Sequence, residues 1–322
     1  MPYVCAVNRV QFTIMKHRAI LSVFAALTAQ LTVTAAAEPS SITQGAAQSQ
    51  LKLDPPGTPR KSASDGNVGG IMDNSFFVEE AYNQEAGVVQ HIFSGSYGVD
   101  RLAGADDKGL ALVFTQEWPA FSQTHQFSYA VPYYFAETGG QSDNGFGDVL
   151  LNYRYQAYFN EENLRALAPR FSLILPTGKS DDGFGDDTVG YQLNLPFSAA
   201  VGDRWFAHAN AGLTFLPDAG PNPGNDLLHY NLGASAIYAP TRNLHFMLEW
   251  IGLWNERPGA SGGLAHEFES IISPGLRRAF DLANDSQLVL GLGVPIGLTS
   301  SAPDFGVFVY LSFEHGFLRK QK

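Results

Sequence analysis

The stretch DVLLNYRYQAYF constrains the fold of this chain more than any other. Val149, Leu151, Tyr153, Tyr155, Ala157 and Phe159 fall on one side of an extended segment, and Asp148, Asn152, Arg154 and Gln156 on the other. Successive side chains of a strand point to opposite faces, so this segment is apolar on one face and wet on the other. The same alternation recurs in Gln126–Phe135, Val189–Phe197, Trp205–Phe215 and Leu244–Trp254, with turn residues between them.

A soluble sandwich also alternates, so the solvent of the apolar face has to be argued. Three features favour lipid. Short connections (Gly202–Arg204, Thr241–Asn243, Asp281–Ser286) alternate with long Gly-, Asp- and Pro-rich ones (Glu137–Gly147, Thr177–Thr188, Pro217–Leu227, Arg257–His266, Thr299–Phe305), the habit of outer-membrane barrels. Aromatic residues gather near strand ends, as in Tyr133, Tyr134 and Phe135, in Tyr155, Tyr158 and Phe159, and at Trp205, like interfacial girdles. The chain finishes on FGVFVYLSFEHGF, with Phe305, Val307, Val309, Leu311, Phe313 and Phe317 on one face, the kind of terminal strand that barrel assembly machinery reads. Counting back from it gives segments near 287–298, 267–278, 244–255, 228–239, 205–216, 189–200, 168–176, 146–159, 125–135, 109–117 and 88–97. The fold class expected is therefore all-β: a transmembrane antiparallel β-barrel of about 12 strands, an even number as single-chain barrels require, with a flexible N-terminal periplasmic tail.

Composition agrees. Of 322 residues 33 are Gly, 12% are aromatic and only 16% are charged, a balance that suits strands. The formal charge of -11 argues against nucleic acid as a partner. Lys16, His17 and Arg18, an apolar run and Ala35-Ala36-Ala37 read as a signal peptide over 1–37, with Met15 as a natural start. Its removal takes away Cys5, the one cysteine, and with it disulfides, thiol catalysis and Cys–metal sites. Residues 38–74 read as a flexible tail, 75–317 as the barrel and 318–322 as an overhang. The piece FFVEEAYNQEAGVVQ suits a short helix or a strand; were 75–83 a strand, parity would require a partner around Val68–Asp73.

With these segments in place, GFGDVLLNYRYQAY, RFSLILPTG followed by an Asp/Gly loop, VGYQLNLPFS and GDRWFAHANAGL resemble the outer-membrane transporter family named for the meta (MetA) pathway of phenol degradation, over roughly 75–317. The resemblance implies passage of small, often aromatic or apolar, compounds across the outer membrane, and brings no catalytic residues. A porin-like pore for polar solutes and a structural or adhesive barrel without transport are the alternatives. Outer-membrane lipid, lipopolysaccharide, the assembly machinery and a small-molecule cargo are the partners expected, at a Gram-negative outer membrane.

Alternation places Arg154, Arg170, His208, His229, His245, Glu249, Glu267, Glu269 and Glu314 on the inward face. They read either as lumen ion pairs, since charge on the lipid face is costly, or as a constriction that selects solutes. Glu249 and Glu314 set against Arg154 and Arg170, with His208 and His245, form the expected constriction. A barrel hydrolase would need Ser, His and an orienting group within reach. His91 and Ser94 fall on opposite faces and no G-x-S-x-G occurs, so neither enzyme activity nor a cofactor is expected.

One repeat remains: SDNGFGDV (Ser142 to Val149) returns 38 residues later as SDDGFGDD (Ser180 to Asp187). That spacing equals one strand down, a turn, one strand up and a loop, so both copies belong to one extracellular rim. Extended parity turns Phe146, Asp148, Phe184 and Asp186 to the lumen and Gly145, Gly147, Gly183 and Gly185 outward. Calcium would call on Asp181, Asp182, Asp186 and Asp187, but the D-x-[DN]-x-[DN]-G spacing with its distant Glu is missing, and the glycines read better as punctuation of a hairpin.

Overall fold

In the computed structural model of the protein, residues 71, 75–101, 106–220, 224–258, 263–283 and 286–316 are described. The segments expected as signal peptide and, apart from Ile71, as tail, and Phe317 with the expected overhang, lie outside them, as does most of the candidate partner around Val68–Asp73. The apolar alternation folds as sixteen strands that make up the twelve staves of a closed antiparallel barrel. The first three staves are β1 (Val88–Asp100), β2 (Asp107–Ala120) and β3 (Ser122–Thr138). The fourth is broken into β4 (Gln141–Phe146), β5 (Val149–Tyr155) and β6 (Tyr158–Asn160), and the fifth into β7 (Arg165–Leu167) and β8 (Arg170–Leu175). Then come β9 (Gly190–Val201), β10 (Trp205–Ala219), β11 (Asn225–Thr241), β12 (Leu244–Pro258) and β13 (Leu264–Asp281). The eleventh stave joins β14 (Gln287–Gly293) to β15 (Ile296–Gly297), and β16 (Phe305–Gly316) is the last. β16 pairs with β1 from Val88↔Gly316 to Val99↔Phe305, so the staves close on one another, and only the short β4 and β6 near the rims pair on one side alone among the described residues. That closure is what a wall in hydrocarbon requires, because no water is there to bond a free N–H or C=O.

The outer face carries Phe93, Leu112, Phe127, Leu151, Phe171, Leu195, Leu232, Leu248, Leu292 and Val309, all exposed. In water such a continuous apolar surface would aggregate; in lipid it is solvated. Charges on this face stand near strand ends, as with the Lys108–Glu137 pair (3.4 Å) at one end and Arg278 at the other. Short turns at Phe121, 202–204 and 242–243 define one end of the barrel, and the longer connections 176–189 and 298–304 the other.

Three expectations are corrected by local geometry. Glu137–Gly147 is not a long loop. β3 and β4 extend into a hairpin closed by Gly139 and Gly140, whose φ of +59° and +84° suit a tight two-residue turn that side chains with a Cβ disfavour. Phe146 faces outward rather than into the lumen, because the register slips by one residue between the Tyr133–Phe146 and Ala130–Leu150 pairs. A bulge at Gly147–Asp148 absorbs the extra residue and inverts parity on its far side. Phe159 turns inward, against the outer face expected for it, because β5 stops at Tyr155 and the pairing resumes one residue out of step at Tyr158↔Leu167.

Candidate functional site

Residues 75–87 form neither helix nor strand. They lie inside the barrel, and their polar groups are spent on its wall. The segment approaches at the short-turn end. There the Ile71 N–H donates to His245 Nε2 (3.2 Å), and the Ile71 carbonyl accepts from Arg277 Nη2 (3.0 Å). It rises to Phe76 and Phe77, whose rings lie 5.1 and 4.8 Å from that of Phe308, and returns to Val88 at the foot of β1. Inward glycines make room for it. A Cβ at Gly275 would stand 2.7 Å from the Phe76 ring, and one at Gly291 closer still.

The consecutive N–H groups of Phe77 and Val78 both donate to one Glu249 oxygen at 3.0 Å, a small backbone nest closed on a carboxylate. Glu79 accepts from Arg170 Nε (3.0 and 2.9 Å), Arg154 Nη1 (3.3 Å) and Asn194 Nδ2 (2.7 Å). Glu80 meets Arg277 Nη2 (3.1 Å), His208 Nε2 (3.6 Å) and the Ser75 hydroxyl (3.3 Å). Arg154 also donates to the carbonyls of Tyr82 (2.8 Å) and Glu80 (3.1 Å) and to Asn83 Oδ1 (2.9 Å). Further along, the Ala81 N–H donates to Ser198 Oγ (2.8 Å), the Tyr82 hydroxyl to the Leu164 carbonyl (2.7 Å) and the Gln84 N–H to Gln126 Oε1 (2.7 Å).

This density of bonding follows from burial. Arg154, Arg277, His245 and Glu249 are almost fully enclosed, and an ionised group without a partner there is costly. Ion pairs of this kind fix position more than they add net stability, since desolvation offsets the attraction. Burial by itself pushes the Glu79 carboxyl up. The Arg170 and Arg154 guanidiniums and the Asn194 amide outweigh it and bring the group below the ordinary carboxylate value.

Of the residues expected at a constriction, Arg154, Arg170, His208, His245 and Glu249 face inward and contact the inserted segment. Glu314 also faces inward, in register with Gln90 and Gln287. The opposition of Glu249 and Glu314 to Arg154 and Arg170 is replaced by a different one, in which the arginines pair with Glu79 of the inserted segment. Glu79, Glu80 and Arg277 were missed by sequence reasoning. Continuing the odd-numbered inward face of Glu267 and Glu269 along the same strand reaches Arg277; the two glutamates of FFVEEAY carried no periodic signal.

Toward the long-loop end the inner surface changes character. Ala111, Val113, Ala130, Leu150, Ile174, Leu216 and Leu227 face inward, with Ile251, Leu253 and Ile271 on the opposite staves. Polar groups interrupt them: Ser96 and Thr214 are buried on the same inner face, Arg257 pairs with Glu267 (3.0 Å) and Glu269 (3.4 Å), Asn255 donates to Glu269 (3.1 Å), and His229 Nδ1 accepts from the Glu256 N–H (3.2 Å).

At the rim the two copies of the repeat meet. Asp148 accepts from the N–H groups of Gly178 (2.7 Å) and Asp186 (3.0 Å), and Phe184 stacks on inward-facing Tyr134 at 5.9 Å. Phe146 packs outside against Tyr133 at 4.9 Å. Lys179 pairs with Asp182, while Asp181 and Asp187 are exposed, and no group of three or more His, Cys, Asp and Glu is placed to hold a metal among the described residues.

No protein-family model and no curated protein matches the chain, so the resemblance to the phenol-pathway family rests on its motifs alone. Among solved structures, the COG4313 outer membrane channel from Pseudomonas putida F1 aligns with a TM-score of 0.57 at 13% identity, over 74% of this chain and 98% of that one. That likeness establishes a shared barrel fold. The KdgM porin (TM-score 0.38, 12% identity, 72% of this chain and 99% of that one) and a mutant of the TodX monoaromatic hydrocarbon channel (0.39, 10%, 73% and 91%) are more distant.

Proposed function

We propose that the protein is an outer-membrane channel through which small molecules, apolar or aromatic in character, pass passively, with residues 75–87 acting as the gate. The observation that carries this reading is the division of the inner surface. On the side of β3, β5, β8, β10 and β11, apolar side chains lead from the long-loop end to a segment held by ion pairs and hydrogen bonds, none of them covalent and all of them exchangeable for water. An apolar solute loses less on leaving water for such a lining than a sugar-sized polar one, which would find few partners there. The family resemblance supports the same cargo class, and the apolar outer face supports lipid and lipopolysaccharide as the surroundings, with the short-turn end in the periplasm.

Flux into liposomes tests it. Phenol should enter protein-containing vesicles faster than protein-free ones, by a larger margin than a sugar-sized polar solute, and the margin should widen when the inserted segment is loosened. Equal flux with and without protein, for the wild type and for loosened variants alike, would support a structural barrel, a reading that the dense bonding of residues 75–87 also accommodates. A preference for the polar solute would turn the reading to a porin-like pore.

A further inference from the structure

Glu79 differs from the other inward carboxylates in how it is held and how it is reached. Its two oxygens are gripped by three wall side chains, Arg154, Arg170 and Asn194, which stand in one register row across β5, β8 and β9. Two arginines directly opposite each other on neighbouring strands repel unless an anion lies between them. Here both are almost enclosed, with relative exposures of 3% and 8%. Of the two, Arg154 has a wall carboxylate at its edge, Glu117 at 3.9 Å, whereas the carboxylate paired with Arg170 is Glu79. The wall therefore keeps an excess positive charge at this row, an anion site whose planar guanidinium suits a carboxylate better than a spherical ion. Glu79 keeps 17% of its side chain exposed against 3% for Glu80, so the first site is reachable where the second is sealed. On the same staves, the next inward positions toward the long-loop end are Asn152 and Ser172, and the ones after them are Leu150 and Ile174.

We propose that Arg154, Arg170 and Asn194 form a binding site for the carboxylate of a small acid with an apolar body, and that Glu79 is its resident internal ligand, displaced when such an acid arrives. The inference rests on reading the lumen as a passage for small molecules and narrows the cargo to amphipathic acids. The carboxylate of the incoming acid takes the bonds of Glu79, while its body lies along the polar row toward Leu150 and Ile174. Glu79 competes as a tethered group at an effective concentration of roughly millimolar, so the site answers to abundant acid and ignores traces.

Benzoate and benzyl alcohol share a ring and differ in the carboxylate. Calorimetric titration of each into the detergent-solubilised full-length protein, and into Glu79→Gln, tests the idea. Benzoate should bind Glu79→Gln roughly tenfold more tightly than wild type, a difference of about 1.4 kcal/mol. Benzyl alcohol should not distinguish the two proteins. Adding Arg170→Gln to Glu79→Gln should abolish the gain, and Arg170→Lys should keep part of it; heat-modifiable gel migration reports whether each variant has closed its barrel. Equal benzoate affinity in wild type and Glu79→Gln, or binding of benzyl alcohol as tight as that of benzoate, overturns the proposal. Arginine-dependent benzoate binding without flux into liposomes would sink the transport reading and leave this site standing. Flux of both compounds without discrimination would do the reverse.

Discussion

The two halves of the lumen solve the problem of filling a twelve-stave barrel in opposite ways. Toward the short turns the wall mixes apolar residues such as Phe206, Ile237, Met247 and Val289 with charged ones, and the charged groups are satisfied by a separate stretch of chain whose backbone and glutamates complete their bonding. Toward the long loops one side of the wall is apolar, with Leu150, Ile174, Leu216 and Leu227 covered by one another, and the Arg257–Glu267–Glu269 group on the other side is satisfied within the wall itself. A polar lining needs specific partners at fixed distances, whereas an apolar one needs only volume. The first half is therefore suited to a gate with one closed arrangement, and the second to a surface that tolerates varied apolar bodies.

Substitutions should separate the halves. Arg277→Ala leaves Glu80 buried without its arginine and frees the Ile71 carbonyl, a loss of about 3–5 kcal/mol by the behaviour of broken buried pairs. Conductance in planar bilayers should rise sharply while the barrel keeps its heat-modifiable migration; unchanged conductance would mean the segment is held without this pair. Leu216→Ala, in the apolar half, should lower stability to denaturant by about 2–5 kcal/mol with no rise in conductance. A rise would erase the distinction between the halves. Gly291→Leu should cost about 1–3 kcal/mol by forcing its side chain against Phe76, with partial opening as the readout.

Acid provides a graded version of the same test. The Glu79 pKa is depressed in the docked state, so its contribution is fully present above the ordinary carboxylate value of 4.5 and is lost as pH falls through the lower, docked value. Conductance should stay level from pH 7 to about 4.5 and climb below it, and Glu79→Gln should blunt that onset. The smallest effect belongs to the rim. Asp148→Ala removes the buried acceptor of two backbone N–H groups, worth about 1–3 kcal/mol of stability, and should change neither conductance nor cargo preference.

The wall was legible in the sequence because its signal is local and repeated. Alternation in Gln126–Phe135 and Leu244–Trp254 reports the two faces residue by residue, and closure follows from the need to pair every edge in lipid. Parity also placed Arg154, Arg170, His208, His245 and Glu249 inward. It failed at Phe146 and Phe159, where a bulge and a strand break shift the pairing by one residue, because a single unpaired residue leaves no mark on composition. The inserted segment was illegible for a different reason. FFVEEAY has no period of its own, since each residue answers to a different stave: Phe76 to the glycines of β13 and β14, Glu79 to β5, β8 and β9, Glu80 to β10 and β13.

The repeated GFGD marks the same boundary. The sequence by itself determined that both copies lie at one rim, because a 38-residue spacing returns a chain of this strand length to the same end of the barrel. Only the tertiary structure decided their forms. The first copy pairs with β3 as strand β4 and bulges into Asp148, while the second folds as a short 3-10 turn over Ser180–Asp182 whose Phe184 docks inward on Tyr134. Near-identical residues divide in this way because one copy has a free strand edge beside it and the other has the carboxylate of the first: hydrogen-bond partners are set by the neighbours the fold supplies, and those neighbours are not written in the motif.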